Sequence, residues 1–263
     1  MAAGKDRERK SDKEPAKFDG WANKYDQWFQ TPRGALVYAL EEDLIFSLAR
    51  PREGEKALDV GCGTGNFTLA LANKGLDLYG IDASEKMLAI AERKLAAAGH
   101  QVVFQHGTME RIPLADDSFD LVLCVSALES SREPERSVAE MWRVTRPGGR
   151  MVIAVLNADS PWAGERRRRE KGSIWEGQHF YRPKEFLELL SRVTGVPAGE
   201  IEWNSSVFIG PHPTDSELEQ AWELEREGRE RKPGGGAMLV ARVDKPSHSL
   251  SHACPARERD ECN

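Results

Sequence analysis

The chain has 263 residues, 40% hydrophobic and 30% charged, with a formal net charge of −6. These values are typical of a soluble globular protein with one or two domains, and no apolar run reaches the roughly 18–20 residues of a membrane span. The N-terminus lacks the apolar segment of a secretory signal, four cysteines without framework spacing fit a reducing cytoplasm, and the acidic balance disfavours nucleic acid as a partner.

Both ends of the chain are polar and rich in charge, which predicts disordered tails over 1–17 and 244–263. The second tail holds four side chains that can ligate metals, namely His248, His252, Cys254 and Cys262. Because no C-x-x-C pair accompanies them, a disordered tail is favoured over a metal tract, and no metal is expected.

Between the tails, short apolar runs alternate with segments of helical periodicity. Strands are predicted at 56–60, 76–82, 101–105, 119–125, 150–155, 201–209 and 237–243. Helices are predicted over 36–48, 66–73, 84–95 and 134–145, and around 186–193 and 218–222. This alternation predicts an α/β fold, a parallel sheet covered on both faces. Residues 18–243 are interpreted as one domain with an aperiodic, aromatic insert at 156–182.

A glycine-rich loop follows the first predicted strand. The segment LDVGCGTGNFTLALA, residues 58–72, places Gly61, Gly63 and Gly65 between a buried strand and a helix. Glycines there permit positive φ and a close approach of the backbone to a ligand. In doubly wound sheets the ligand lies at the carboxyl ends of the strands. Asp82 ends the next strand, and its carboxylate is placed to accept hydrogen bonds from ribose hydroxyls.

Two cofactor classes use this layout. A dinucleotide needs the spacing G-x-G-x-x-G, with its pyrophosphate at the helix N-terminus. This chain has G-x-G-x-G, with Asn66 where the dinucleotide pattern has glycine, and Asp59 before the loop would repel pyrophosphate. A cationic ligand without phosphate suits that carboxylate, so S-adenosylmethionine is favoured over NAD.

Four segments in order resemble the successive motifs of class I S-adenosylmethionine-dependent methyltransferases. They are LDVGCGTGNFTLALA, YGIDASEKMLAIAERKL, GTMERIPLADDSFDLVLCVSALE and RPGGRMVIAV. The similarity covers roughly residues 18–243 and is greatest to the type 11 small-molecule subgroup, which includes ubiquinone and menaquinone biosynthesis enzymes. It implies a Rossmann-like three-layer sandwich with a seven-stranded, mostly parallel sheet whose last strand is antiparallel.

The resemblance also implies the cofactor-binding residues. It places Asp59 and the glycine loop against the methionine part, and Asp82 against the ribose. Met87 and residues 108–109 are placed against the adenine, and Tyr25 over the cofactor. In chain order the implied set is Tyr25, Asp59, Gly61, Cys62, Gly63, Gly65, Asp82, Ala83, Met87, Thr108, Met109, Val125 and Ser126.

The catalytic residue is harder to identify. His179, in the insert, and Glu129, just past the fourth strand, are candidate general bases. The insert is interpreted as a lid over the acceptor. Aromatic side chains that wall an acceptor pocket are expected at Trp162, Trp175 and Tyr181.

The only basic cluster of the insert is residues 166–169. It is interpreted as a solvated helix face because Glu165 and Glu170 flank it, although an anion site is the alternative.

These observations predict a cytoplasmic enzyme that transfers a methyl group from S-adenosylmethionine to a small-molecule acceptor by in-line displacement. One alternative is a non-catalytic partner subunit that binds S-adenosylmethionine. Another is an NAD-dependent oxidoreductase, which the loop spacing and Asp59 oppose. The sequence indicates no oligomeric state.

Overall fold

The computed structural model describes residues 17–169 and 171–247. The strands are β1 (Lys56–Val60), β2 (Asp77–Asp82), β3 (Val103–His106), β4 (Phe119–Val125), β5 (Thr145–Leu156), β6 (Glu202–Ser206) and β7 (Met238–Asp244). The helices are α1 (Ala22–Phe29), α2 (Pro32–Ala49), α3 (Asn66–Ala72), α4 (Glu85–Ala97), α5 (Pro134–Val144), α6 (Pro161–Arg168), α7 (Pro183–Thr194), α8 (Asp215–Glu219) and α9 (Ala221–Arg231). Short 3-10 helices occupy Lys17–Gly20, Leu128–Ser130 and Ala198–Glu200.

The strands form one seven-stranded sheet in the order β3-β2-β1-β4-β5-β7-β6. β1, β2, β3, β4 and β5 pair in parallel, and β7 runs antiparallel to both β5 and β6. This arrangement confirms the predicted mostly parallel sheet with an antiparallel last strand.

Helices cover both faces of the sheet. On one face, α5 and α7 bury Met141 and Phe186 in a cluster with Leu58 of β1. On the other, α2 and α3 bury Ile45 and Leu71 in a second cluster. The chain crosses from β3 at one edge to β4 beside β1, so the order reverses between β1 and β4. A ligand site is expected at the carboxyl ends of these two strands.

One strand begins earlier than predicted. β5 starts at Thr145, which pairs with Phe119, and a register shift follows before Arg150 pairs with Leu121. A Cβ at Gly149 would lie 2.9 Å from the carbonyl oxygens of residues 120 and 146. The run of residues 146–149, read from sequence as a helix stop, therefore also forms an irregular start of β5.

The predicted C-terminal tail begins too early. Asp244 ends β7, and the Lys245 Nζ donates to the carbonyl oxygens of Trp142 and Thr145 at 2.9 and 2.6 Å. The predicted N-terminal tail and the four possible metal ligands beyond residue 247 lie outside the described residues, apart from Lys17, which begins a 3-10 helix. Within the described ranges, no helix is long and apolar enough to cross a membrane.

Candidate active site

The glycine loop turns sharply between β1 and α3. Gly61 has a φ of +70°, and a Cβ there would lie 2.4 Å from the Ala127 Cβ. Gly63 has a φ of +53°, and its missing Cβ would meet no atom within 4 Å. The loop is therefore closed at Gly61 against the segment that follows β4, and it is open at Gly63, where backbone can approach a ligand.

Asp82 ties the end of β2 to this loop. Its Oδ2 accepts the Gly63 N–H at 2.8 Å, and its Oδ1 accepts the Ser84 N–H at 2.8 Å. Burial raises the pKa of Asp82, while these two N–H groups oppose the rise. A carboxylate has about four lone-pair directions, so each oxygen retains one for a ligand hydroxyl.

Asp59 lies beneath the loop and is only 2% exposed. Its Oδ2 accepts the Thr68 hydroxyl at 2.6 Å. Burial raises the pKa of Asp59 to about 7, and nearby Asp82 adds to the rise. A cation bound in front of this carboxylate would favour its ionised form.

A cleft of about 740 Å³ opens at the carboxyl ends of β1, β2 and β4. Its walls include every residue of the implied cofactor set except Gly65. Gly65 instead faces α4, because a Cβ there would lie 3.0 Å from the Ala91 Cβ and 3.1 Å from a Leu95 methyl group. The prediction that Gly65 contacts the cofactor is corrected: this glycine lets α3 pack closely on α4.

The N-terminal segment forms one wall of the cleft. Tyr25, which is predicted to lie over the cofactor, lines it. Asp26 beside Tyr25 accepts the Thr64 hydroxyl at 2.6 Å and pairs with the Lys94 Nζ at 2.8 Å. The Ser84 hydroxyl donates to Asp19 at 2.5 Å. Sequence reasoning missed these contacts, which hold α1 against the glycine loop and α4.

The end of β4 supplies the opposite wall. Ser126 lines the cleft with a φ of +50°, unusual for a residue with a side chain, and its N–H donates to the Ala154 carbonyl at 2.9 Å. Three residues on, Glu129 is 1% exposed. Its Oε1 accepts the Leu156 N–H at 2.6 Å, and its Oε2 has no hydrogen-bond partner among the described residues. Glu129 is itself absent from the cleft lining, although Ala127 and Ser130 on either side of it belong to that lining. The candidate base is thus buried behind the wall of the cleft, where β4 and β5 end.

A partly buried carboxylate, Glu41, was missed by sequence reasoning. Glu41 lines the cleft from α2, and burial raises its pKa and that of Glu129 to about 7. Glu41 lies at i+4 from Val37 and i−4 from Ile45, and both of these residues are buried. That spacing is the signal that would have placed Glu41 on the inner face of the helix.

The insert departs from its predicted arrangement. Tyr181 is 2% exposed and packs in the core against Phe186. Trp162 is 9% exposed, and its Nε1 donates to the Ile209 carbonyl at 2.8 Å. Because both rings are fixed in apolar clusters, the prediction that they wall an acceptor pocket is wrong.

His179 and Trp175 lie elsewhere. They line a separate cavity of about 340 Å³ and are absent from the cleft wall. The His179 Nε2 lies 2.5 Å from Glu185 Oε1, with the side chain 57% exposed. Its backbone N–H donates to the Glu129 carbonyl at 2.9 Å, so His179 borders Glu129 through its backbone. From the insert, Glu176 and Gly177 line the cleft instead.

The arginine cluster divides in two. Arg168 and Arg169 pair with Glu165 and are about 70% exposed, as expected of a solvated face. Arg166 turns inward, where its guanidinium lies 5.5 Å from the ring centroid of Trp162 and 5.0 Å from that of Trp175. The interpretation of the whole cluster as solvated is therefore wrong for Arg166.

The cleft suits a cationic cofactor. In the part of the chain that the structure describes, its lining holds one basic side chain, Arg132. The acidic side chains of the lining are Glu41, Asp59, Asp82, Glu110, Glu133 and Glu176. This excess attracts a sulfonium and an ammonium and repels a pyrophosphate. The open approach at Gly63 and the remaining Asp82 lone pairs match S-adenosylmethionine.

Comparison with known proteins also indicates an enzyme that uses S-adenosylmethionine. Residues 58–153 match the family model described as a methyltransferase domain. Ubiquinone biosynthesis O-methyltransferase of Rhizobium etli is 30% identical over 187 residues, 68% of this chain and 71% of that protein. Demethylmenaquinone methyltransferase of Bacillus velezensis is 40% identical over 114 residues, 42% of this chain and 49% of that protein, so the match spans about half of that relative.

The fold has solved counterparts too. The structure of a SAM-dependent methyltransferase from Thermotoga maritima, a possible histamine N-methyltransferase, superposes with a TM-score of 0.66 at 24% identity. The match covers 87% of this chain and 97% of that one. The chain belongs to the class I S-adenosylmethionine-dependent methyltransferases, in the type 11 subgroup. It is therefore an enzyme that uses S-adenosylmethionine, and not an NAD-dependent oxidoreductase.

Proposed function

We propose that this enzyme methylates a small molecule held in the cleft beside Glu129. The observation that carries the proposal is the cleft itself, which runs from Asp82 past Ser126 to Glu41 and Ser130. Its volume of about 740 Å³ lies within the range of roughly 300–1,000 Å³ of small-molecule sites. Two quinone-biosynthesis methyltransferases among the relatives also support a small acceptor.

The cofactor supplies an activated methyl group, and the protein positions both reactants. In this proposal, the Asp82 carboxylate accepts hydrogen bonds from the ribose hydroxyls, and the backbone of residues 61–63 contacts the methionine part of the cofactor. Asp59 faces the ammonium, and Ser126 borders the reacting methyl. Adenine packs against Met87 and the 108–109 backbone, and Tyr25 covers the bound molecule. All these residues line one cleft.

Glu129 is the proposed general base. It is buried, one of its carboxylate oxygens has no hydrogen-bond partner in the described part of the chain, and burial raises its pKa to about 7, which suits proton transfer near neutral pH. His179 is the weaker candidate, because its ring pairs with Glu185 beside a different cavity. Its backbone contact with Glu129 supports a positioning role. Within the described residues Cys62 and Cys124 are free, which supports the proposed cytoplasmic location.

The test is methyl transfer from isotopically labelled S-adenosylmethionine into a cell extract. We expect label in the low-molecular-weight fraction. Label found only in macromolecules would contradict the small-molecule acceptor. An absence of transfer, with tight binding of S-adenosylhomocysteine, would instead favour the non-catalytic partner subunit.

A further inference from the structure

Two oppositely charged groups lie unpaired in the interior near the ends of β4 and β5. The Glu129 Oε2 and the Arg166 Nη1 are both buried, and neither has a hydrogen-bond partner among the described residues. Unpartnered buried polar atoms are rare in native proteins, and each calls for an explanation. A bound ligand explains both.

The two groups belong to one electrostatic cluster. Arg166 interacts with Glu129 and with Glu41, and it opposes the rise that burial causes in the pKa of each carboxyl. Burial also lowers the pKa of Arg166, and the two glutamates counteract that effect. Because both unpaired atoms lack a partner, Glu129 and Arg166 attract each other without forming a direct hydrogen bond between those atoms.

Each member is held by a different element. Glu129 is fixed by the Leu156 N–H, and the Trp162 and Trp175 rings flank the Arg166 guanidinium. Glu41 lines the cleft, Arg166 lines the separate cavity that Trp175 and His179 also line, and Glu129 is in the lining of neither space. The cluster therefore lies between the cleft and the insert, next to the end of β4 where the methyl group is proposed to react.

The chemistry of the cluster selects a ligand. Arg166 offers an N–H donor and disfavours an ammonium, whereas the two carboxyls disfavour an anion such as phosphate. A neutral hydroxyl can donate to Glu129, and a neighbouring oxygen can accept from Arg166. We infer that Glu129, Arg166 and Glu41 form the polar subsite of the methyl acceptor, and that the acceptor presents there an ionisable hydroxyl next to a second oxygen atom.

This inference rests on the proposed function and makes the reaction an O-methylation. The hydroxyl proton passes to the Glu129 carboxylate as the acceptor oxygen bonds to the methyl carbon. The carbon–sulfur bond breaks, its electron pair stays on sulfur, and the sulfonium becomes a neutral thioether. Arg166 stabilises the negative charge that develops across the two acceptor oxygens, and Glu129 then releases its proton to water.

The first test identifies the bond formed by the wild-type full-length enzyme. The labelled methyl group of the small-molecule product is located by its NMR chemical shift, which separates methyl ethers from N-, S- and C-methyl groups. We expect a methyl ether whose oxygen neighbours a second oxygen. An N-methyl, S-methyl or C-methyl product would overturn the inference but leave small-molecule methylation intact, whereas an absence of any labelled small molecule would overturn the proposed function itself.

The second test uses variants with the acceptor found above. Glu129→Gln is expected to lower kcat roughly 100-fold, the scale of a lost general base, and to remove the rise of kcat/KM with pH near neutrality. Arg166→Met is expected to raise the acceptor KM roughly tenfold or more, with Arg166→Lys intermediate. Affinity for S-adenosylhomocysteine, measured by calorimetry, should stay near wild type in all three.

The control is Arg168→Met, a change of the same kind on the exposed face of α6, which should leave KM unchanged. Equal effects from Arg166→Met and Arg168→Met, or an unchanged pH profile in Glu129→Gln, would overturn the subsite. A changed pH profile can be assigned to Glu129 because Glu129→Gln leaves the charged and titratable neighbours of this residue in place. They are Tyr25, Glu41, Cys124, Arg166 and Tyr181.

Discussion

The cofactor side and the acceptor side of the cleft are assembled in different ways. On the cofactor side, the Gly63 N–H meets the Asp82 carboxylate across two neighbouring strand ends. On the acceptor side, Glu41, Glu129 and Arg166 come from α2, the loop after β4 and α6. The first arrangement is set by strand order and short loops, whereas the second depends on packing between distant segments.

This difference indicates which part of the cleft determines specificity for the methyl acceptor. A βα turn and a strand-end carboxylate form one rigid unit that binds the same cofactor whatever the acceptor. The acceptor subsite instead depends on an insert that packs partly through side chains, with Trp162 anchored to the Ile209 carbonyl. We therefore expect the acceptor side, rather than the glycine loop, to determine which substrate is methylated.

The largest expected effect comes from Gly63→Val on the cofactor side. A β-branched residue at a φ of +53° is strained, and its methyl groups would project into open space at the cleft. We expect S-adenosylhomocysteine affinity to fall roughly 100-fold or more, as measured by calorimetry.

Gly99→Val is the matched control for that substitution. Gly99 also has a positive φ, +82°, with open space around its missing Cβ, but it follows α4 away from the cleft. It should lose stability to a similar degree and keep cofactor affinity. Equal losses of affinity in both variants would show that backbone strain, and not the blocked approach of a ligand, causes the loss in Gly63→Val.

A somewhat smaller effect is expected from Asp82→Asn. Both carboxylate oxygens accept a backbone N–H, and the amide nitrogen of asparagine cannot accept either one. We expect S-adenosylhomocysteine affinity to fall roughly 10- to 100-fold. Asp77→Asn, at the exposed start of the same strand, should leave calorimetric affinity unchanged. Unchanged affinity in Asp82→Asn, or an equal loss in both variants, would refute the ribose role.

The same contrast explains what the sequence could predict. The runs at 56–60 and 119–125 became β1 and β4 with unchanged bounds, because short buried strands read as continuous apolar runs. The predicted cofactor residues other than Gly65 line one cleft, since their positions depend on where the strands end. The prediction that Gly65 contacts the cofactor was not met, because the glycine pattern does not show whether a glycine allows a ligand or a neighbouring helix to approach.

On the acceptor side, the sequence predicted single residues but not how they are arranged. Glu129 was identified by its place after β4, but its burial and its unpaired oxygen depend on β5 and the insert. Four consecutive arginines look alike in sequence. Arg166 is the one that lies four residues after Trp162, whose ring it meets, and that helical spacing was an available signal.

A moderate effect on the pH dependence of stability is expected from the buried carboxyl of Glu129. The pKa of Glu129 is raised to about 7 in the folded state, above the unfolded value of about 4.3. Its contribution to stability is therefore complete below pH ~4.3 and is lost as pH rises through about 7. We expect Glu129→Gln to flatten the fall in the free energy of unfolding between pH 5 and 8 by up to about 1.4 kcal/mol per pH unit.

Urea unfolding of wild type and Glu129→Gln across that range measures the difference. Exposed Glu133→Gln is the control, since its side chain is 58% exposed and pairs with Arg136. If Glu133→Gln flattened the profile as much as Glu129→Gln, the buried carboxyl would not be the titrating group.

The smallest effect should come from the N-terminal wall. Asp26→Asn removes the ion pair with Lys94 and weakens the acceptor for the Thr64 hydroxyl. Both charged side chains are partly exposed, so the pair contributes only about 0.2–1 kcal/mol. We expect S-adenosylhomocysteine affinity to fall about two- to fivefold, with faster tryptic cleavage after exposed Lys24 in α1. Asp43→Asn, which removes an ion pair with Arg229, should change neither quantity. Unchanged cleavage in Asp26→Asn would mean that apolar packing of Tyr25 and Phe29, not Asp26, holds α1 over the cofactor.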